Sequence, residues 1–322
     1  MKEKILEILK NSDSFISGEE ISGILGISRA AVWKHINALK KQGYNIESVT
    51  KKGYRLKNSC EKILVGEIER NLTTEYIGRN IIFYENTDST NHQAKLKNAE
   101  ADGSVFIAEN QNMGRGRLSR EWASPPMSGI YMSLLLKPDI SPASVSQITL
   151  VAGISVLQAL GDYTEKDVFI KWPNDIVIGT KKVCGILTEL AGEENRINYV
   201  VLGIGVNVNM KSFDEKIENK ATSLFIEENK VFDRSEIIAS ILNAFEKNYN
   251  IFLESGFSAL KEKYEKSCIT LGKEVEIITP KKSYTAFSVG VDENGCLIVE
   301  NDGKREIINS GEVSVRGLYG YV

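Results

Sequence analysis

The chain has 322 residues, 42% of them hydrophobic and 26% charged, and a net charge of −3. This is enough sequence for two or three domains and is the balance of an ordinary globular protein. Its four cysteines (Cys60, Cys184, Cys268, Cys296) show no paired spacing and its two histidines add none, so neither a disulfide framework nor a set of dedicated metal ligands is expected.

The charge is uneven. Residues 1–60 carry eleven basic and six acidic side chains, a balance of +5 that leaves −8 for the remainder. A basic head on an acidic body points to a polyanionic partner for the head alone. The opening residues, MKEKILEILK, lack the apolar core of a signal peptide. The longest apolar-leaning stretch, 149–160, is interrupted by Gly153, Ser155 and Gln158 and reads as too short to span a bilayer. A cytoplasmic protein with no membrane partner is the expectation.

Within the head, Ile5, Leu6, Ile8 and Leu9 share one face of a first helix. Ser17-x-x-Glu20 is a capping box for a short second helix ending near Gly26. Ser28 can cap a third helix, 29–42, on which Val32, Ile36 and Leu39 recur at core spacing. Lys34 and Asn37 fall on its other side, with Arg29 and Trp33 at its leading end. Residues 44–56 alternate as two short strands around a basic turn that contains Lys51 and Lys52. Three helices and a two-stranded wing make a winged helix-turn-helix, with the third helix in the major groove and the wing lysines on the backbone. A helical oligomerisation module with solvated lysines would share much of this pattern.

After residues 58–61 the pattern lengthens. Residues 81–84 read as a strand leading to Ser89-Thr90-Asn91, where a helix starts; such residues ordinarily cap. A buried strand, 104–108, runs into Glu109–Trp122, ENQNMGRGRLSREW, which holds Gln111, Gly114, Gly116 and the arginines Arg115, Arg117 and Arg120. Glycine permits close backbone approach, and arginine offers a forked cationic donor for carboxylate or phosphate, so the loop can hold anions; it could equally be a solvated basic turn. It is not a dinucleotide fingerprint, because Ser119 stands where the third glycine should be. Residues 129–137 and 197–208 read as strands, with a helix at 142–160 packed between them. The cluster Lys171-Trp172-Pro173-Asn174-Asp175 ends another strand, 168–170. A hairpin from 175–178 to 183–190 would bring Lys182 back towards Asn174. Two amphipathic helices, 234–254 and 257–267, precede short strands with turns at Asn294-Gly295 and Asp302-Gly303.

These motifs resemble those of the biotin–protein ligases. The family's GRGRxGRxW loop is met by Gly114–Trp122 except at Ser119, its KWPND by Lys171–Asp175, its K-x-x-G-I by Lys182-Val183-Cys184-Gly185-Ile186, and its G-x-G-x-N by Gly203-Ile204-Gly205-Val206-Asn207. Four ordered elements between Gly114 and Asn207 are specific. With the basic head, the resemblance covers the whole chain and points to the family's bifunctional ligase/repressors.

The resemblance implies a multidomain α+β protein: a winged helix-turn-helix at 1–60, a mixed α/β, class II synthetase-like catalytic domain at 61–270, and an SH3-like β-barrel at 271–322. It implies that biotin and ATP, with Mg²⁺, form biotinyl-5′-AMP and pyrophosphate, and that biotin then passes to a lysine of biotin carboxyl carrier domains. Ser89, Thr90, Asn91, Gln111, Arg115, Gly116, Arg117 and Lys182 carry over as biotin contacts. Arg117, Arg120, Trp122, Asn174, Asn207 and Arg316 carry over as nucleotide contacts. Arg115, Arg117 and Lys182, with Lys171 and Asp175, carry over as the groups that serve the chemistry. Ser28, Arg29, Trp33, Lys34, Asn37, Lys51 and Lys52 are the candidates for operator DNA. A homodimer formed by edge-to-edge pairing of 198–203 would match a two-fold operator. Serine can replace the family glycine at position 119 unless φ is positive there, so altered loop closure rather than lost activity is expected. The alternatives are a ligand-sensing repressor with decayed catalysis and a lipoate–protein ligase; intact Lys171–Asp175 and Lys182 speak against the first, the GRGR loop and the basic head against the second.

Overall fold

The structure, a computed structural model, describes residues 1–12, 14–41, 43–56, 62–193, 196–279, 282–310, 313–317 and 321–322. Gln42 at the expected end of the third helix, the expected boundary at 58–61 with Cys60, and Gly311-Glu312 lie outside the described residues. The chain forms two compact units, Met1–Leu64 and Val65–Val322.

The first unit contains α1 (Lys2–Lys10), α2 (Gly18–Leu25), α3 (Arg29–Lys41) and the hairpin β1 (Ile46–Val49) with β2 (Gly53–Leu56). Ser17 caps α2 by accepting from the Glu20 amide at 3.0 Å, and Gly26 ends it in the left-handed conformation. Ser28 Oγ accepts from the Ala31 amide at 3.2 Å at the start of α3. Ile5, Leu6, Leu9, Ile21, Val32, Ile36 and Leu39 are buried in one core, as their helical spacing requires.

The second unit runs α4 (Val65–Asn71), β3 (Ile81–Thr87), α5 (Thr90–Leu96), β4 (Ser104–Gln111), β5 (Gly129–Leu136), α6 (Val145–Gly161), β6 (Val168–Lys171), β7 (Asp175–Ile178), β8 (Lys181–Glu193), β9 (Arg196–Asn207), α7 (Leu224–Glu228), α8 (Arg234–Ser255) and α9 (Ser258–Lys266). Its seven-stranded sheet has the order β3-β4-β5-β9-β8-β7-β6, parallel only between β3 and β4. The order overturns edge-to-edge pairing of 198–203: Val200, Val201, Leu202 and Gly203 are hydrogen-bonded to β5 on one side and β8 on the other. A strand's own sequence does not reveal whether it is central or at an edge.

The helix at 142–160 also differs from expectation. It lies on one face of the sheet against α8 rather than between strands, and Thr149 Oγ1 meets Thr188 Oγ1 of β8 at 2.7 Å. With its 3₁₀ lead-in, Pro142–Gly161 is long and apolar enough to cross a membrane by length and composition, contrary to the expectation from the interrupted run at 149–160. It is mostly buried here as a core helix. Against strands β4 and β5, Arg234 at the start of α8 is 1% exposed and grips Glu109 through both carboxylate oxygens, at 2.9 and 3.0 Å.

The chain ends in a five-stranded antiparallel sheet of order β13-β12-β11-β10-β14, from β10 (Lys273–Ile278), β11 (Ser283–Val291), β12 (Leu297–Asn301), β13 (Lys304–Ile308) and β14 (Ser314–Gly317). Asp302 and Gly303, both at positive φ, make the β12–β13 turn that the Asp-Gly pair indicated. Among the described residues no pairing joins β13 to β14, so the sheet is seen open rather than closed into a barrel.

Candidate functional site

Strand pairing decides which side chains share a face, because successive residues alternate. Lys171, Asp175, Gly185, Gly205 and Tyr131 form one row across β6, β7, β8, β9 and β5; Leu187, Gly203 and Ser133 form the next. This is the face covered by α5, since Ser133 Oγ lies 2.7 Å from Thr90 Oγ1 and 2.5 Å from Asn91 Oδ1. Both glycines of the G-x-G element therefore face the site, while Ile204 between them goes to the core. Their lack of a side chain is what admits their neighbours. A Cβ on Gly203 would collide with Asn91 Oδ1, one on Gly205 would lie 2.6 Å from the Trp122 ring, and one on Gly185 would lie 2.9 Å from Lys182 Nζ.

Two cavities meet on this face. The smaller, about 470 Å³, is lined by Ser89, Thr90, Asn91, Gln111 and Arg115 among others. The larger, about 1530 Å³, takes in Arg120, Lys171, Asp175, Asn207, Arg316 and Tyr321. Gly116, Arg117, Trp122, Asn174 and Lys182 border both.

The smaller cavity has a fixed polar wall. Gln111 Oε1 accepts from the Thr90 amide at 2.8 Å and hydroxyl at 3.1 Å, and Gln111 Nε2 donates to Ser124 Oγ at 2.9 Å. Asn91 Nδ2 donates to Glu189 Oε2 at 2.7 Å. Ser89 is the N-cap of α5, but its hydroxyl makes no capping bond, so capping does not account for it. The arginine loop is tied to the same segment: the amides of Asn112 and Met113 donate to the carbonyls of Thr87 and Asp88 at 3.0 and 2.9 Å.

Charge gathers where the cavities meet. Lys182 Nζ lies 2.5 Å from Asp175 Oδ1 and 5.2 Å from the Trp122 ring. Burial by itself would raise the Asp175 carboxyl; the Lys182 and Lys171 ammoniums overcome this and hold it below the usual carboxylate range. Lys171, 6% exposed, donates to the Val315 carbonyl at 3.0 Å, and burial lowers its pKa to about 8 although Asp175 opposes the shift.

Arg117 donates to Asn174 Oδ1 at 2.9 Å, to the Val313 carbonyl at 3.0 Å and to the Ser310 carbonyl. Arg120 reaches Ser314 Oγ at 3.3 Å. Asn174 Nδ2 is bound to the Ile186 carbonyl and Asn207 Nδ2 to that of Thr222, at 2.9 and 3.0 Å. Arg115 and Arg316 are exposed at the cavity walls. Leu118 and Ser119 stand at φ 54° and 57°, so the serine occupies the left-handed backbone in which it is no longer equivalent to glycine. Reasoning from the sequence missed Ser133, Glu189 and Tyr321. The first two reach the site only through the order of the sheet, and no local signal marks Tyr321, whose hydroxyl donates to Asp175 Oδ2.

In the first unit, Arg29, Lys34, Lys51 and Lys52 are exposed, Trp33 is 61% exposed, and Asn37 is partly exposed on α3. Lys51, at φ 69°, turns the β1–β2 hairpin.

Profiles of three families match the chain: the biotin/lipoate A/B protein ligase family over residues 83–207, an HTH domain over 2–55 and the biotin protein ligase C terminal domain over 270–316. The chain is 38% identical to the bifunctional ligase/repressor BirA of Bacillus subtilis (strain 168) over 317 residues, 96% of this chain and 97% of that protein. It is 31% identical to the BirA of Escherichia coli (strain K12), covering 97% and 96%. The biotin protein ligase of Aquifex aeolicus, solved in complex with biotin and ATP, superposes with a TM-score of 0.67 at 35% identity, over 74% of this chain and 99% of that one. Similarity of this extent, together with the motifs gathered on one sheet face, establishes that the chain belongs to the biotin–protein ligase family and stands among its bifunctional ligase/repressors.

Proposed function

We propose that this protein joins biotin to ATP, releasing pyrophosphate and forming biotinyl-5′-AMP, and then transfers biotin to a lysine of a biotin carboxyl carrier domain. With the adenylate bound it forms a homodimer and represses transcription at operator DNA. The observation that carries the reading is the shared border of the two cavities, where Arg117, Trp122, Asn174 and Lys182 stand between a small polar cavity and a large cationic one.

The chemistry follows from charge. The biotin carboxylate must approach the α-phosphate although both are anions, and cations already in place stabilise the crowded transition state. Lys182 and the arginines Arg115, Arg117 and Arg120 are those cations. Ser89, Thr90 and Asn91 serve the ureido ring of biotin, whose donors and acceptors need hydroxyl and amide partners, and Gln111 and Gly116 are further biotin contacts. Trp122 walls the adenine, with Asn174, Asn207 and Arg316 on the nucleotide. Mg²⁺ accompanies the departing pyrophosphate, bound through the phosphates and water rather than by dedicated protein ligands. Lys171 and Asp175 orient the acceptor amine in the second step.

We assign 1–60 to DNA binding through Ser28, Arg29, Trp33, Lys34, Asn37, Lys51 and Lys52, residues 61–270 to catalysis, and 271–322 to an SH3-like module that helps hold ATP and acceptor. The location is cytoplasmic, with no membrane partner. The test is pyrophosphate release by purified protein given biotin, ATP and Mg²⁺, followed by DNA binding with biotin plus ATP against either alone. No pyrophosphate refutes the ligase; DNA binding indifferent to the pair refutes the coupling.

A further inference from the structure

Asp175 faces two ammoniums, the buried Lys171 from β6 and the half-buried Lys182 from β8. Only Lys182 is paired with it, at 2.5 Å to Oδ1. The second oxygen, Oδ2, accepts from the hydroxyl of Tyr321. The same ring covers Lys171, whose Nζ is 4.1 Å from the ring centroid and donates instead to the Val315 carbonyl of β14. Tyr321 lines the larger cavity beside Arg120 and Arg316.

We propose that Tyr321 is a positioning residue for the site: its hydroxyl fixes the Asp175 carboxylate on Lys182, and its ring keeps Lys171 from competing for that carboxylate. Among the described residues, these two like charges have one counter-ion between them. A carboxylate with a free second oxygen can rotate or accept a second ammonium, and Lys182 then loses its fixed place at the border of the cavities. A phenol on Oδ2 removes that freedom, because a hydrogen bond to an ionised acceptor is among the stronger ones. A cationic head over an aromatic face is held by the ring quadrupole, which gives Lys171 a resting place away from Asp175. That Lys182 serves adenylate formation rests on the function proposed above; that Tyr321 partitions the two lysines does not.

The test uses the full chain with Tyr321→Phe, which keeps the ring, and Tyr321→Leu, which loses both parts. Biotin- and ATP-dependent pyrophosphate release gives kcat, both KM values and their pH profiles. Tyr321→Phe is expected to lower kcat by about tenfold, the loss of one hydrogen bond to a charged group, with KM for biotin unchanged. It should also move the acid limb of the profile to higher pH, because Asp175 loses a bond that favours its ionised form. Lys171, Lys182, Arg117 and Tyr321 are the charged and titratable groups around that carboxylate, with Cys184 beside them on β8, and only Tyr321 is changed. A kcat and acid limb identical to the parent overturn the proposal. So does a loss of kcat that merely follows a lowered melting temperature in both variants, with the acid limb unmoved.

A second readout needs no turnover. Limited acetylation with acetic anhydride, read by mass spectrometry at Lys171 and Lys182, should rise severalfold at Lys171 in Tyr321→Leu and stay near the parent level in Tyr321→Phe. Equal labelling at Lys171 in all three proteins overturns the proposal. Absence of pyrophosphate release by the parent protein overturns the ligase reading alone, because the labelling still decides whether Tyr321 keeps the lysines apart.

Discussion

Ser119→Gly probes the arginine loop where its backbone is least comfortable. Ser119 lies at φ 57°, directly after Leu118 at φ 54°, in a conformation that costs an L-residue about 1–2 kcal/mol relative to glycine. The loop backbone in this form is pinned: the Gly116 amide donates to the Arg120 carbonyl at 2.7 Å and the Trp122 amide to that of Gly114 at 3.0 Å. Glycine removes the strain but also frees the opened loop, which offsets about 0.5–1 kcal/mol. The net gain for the pinned form is about 0.5–1 kcal/mol, an about two- to fivefold shift in population. The assay is leakage of biotinyl-adenylate, followed as steady pyrophosphate release without an acceptor domain. Ser119→Gly should slow the leak about two- to fivefold, whereas Ser119→Ala, which keeps the Cβ and the strain, should leak like the parent. If Ser119→Gly leaks no less than Ser119→Ala, backbone strain at this position does not govern closure.

Other expectations follow from the same geometry. Lys182→Ala leaves the Asp175 carboxylate without its 2.5 Å partner and removes a cation from the cavity border. A loss of about 3 kcal/mol, or about two hundredfold in the rate of adenylate formation, should appear in single-turnover pyrophosphate release; a normal rate would remove Lys182 from the chemistry. Lys171 has a folded pKa of about 8 against 10.5 for an ordinary lysine, so between these values the unfolded chain binds more protons and stability should rise with pH. Below about 8 that contribution is absent. Melting temperatures of the parent minus those of Lys171→Met should therefore increase from pH 8 towards 10.5, and a flat difference would mean that the ammonium is not desolvated. In the first unit, Lys51→Ala with Lys52→Ala should flatten the salt dependence of DNA binding by about 0.9 log unit for each phosphate the wing no longer neutralises, measured by titration at several salt concentrations. An unchanged slope would take the wing off the DNA backbone.

What can be read from the sequence depends on distance along the chain. Lys182 is legible because a short turn and a two-residue period fold β8 onto β7, and the Ser17 and Ser28 caps because they act within three residues. Ser133 and Glu189 sit in strands whose alternation looks purely structural; only the order of the sheet brings them against Asn91. Tyr321 lies 146 residues from Asp175, beyond the reach of any pattern. The same limit explains the misplaced pairing edge. The residues at 198–203 have the composition of a strand, but their two neighbours come from residues 129–136 and 181–193, and nothing local announces the first.

The cations of the site also differ in what holds them. Lys171, Lys182, Arg117 and Arg120 come together around one described carboxylate that is deeply buried, and like charges at this range repel unless something screens them. Asp175 answers part of the repulsion through Lys182. Arg117 is held by carbonyl oxygens of the carboxyl-terminal sheet segment, and Arg120 by a hydroxyl there, neither of which carries a full charge. Dipoles hold a guanidinium less firmly than a phosphate or carboxylate would. An arriving anion can therefore draw the arginines from Ser310, Val313 and Ser314, whereas Lys182 stays fixed by a true counter-ion. On this reading Lys182 is a stationary charge and the side chains of the arginine loop are moving ones, so arginine substitutions should act chiefly on the affinity for substrate and retention of the adenylate, and substitutions at Lys182 on the rate of its formation.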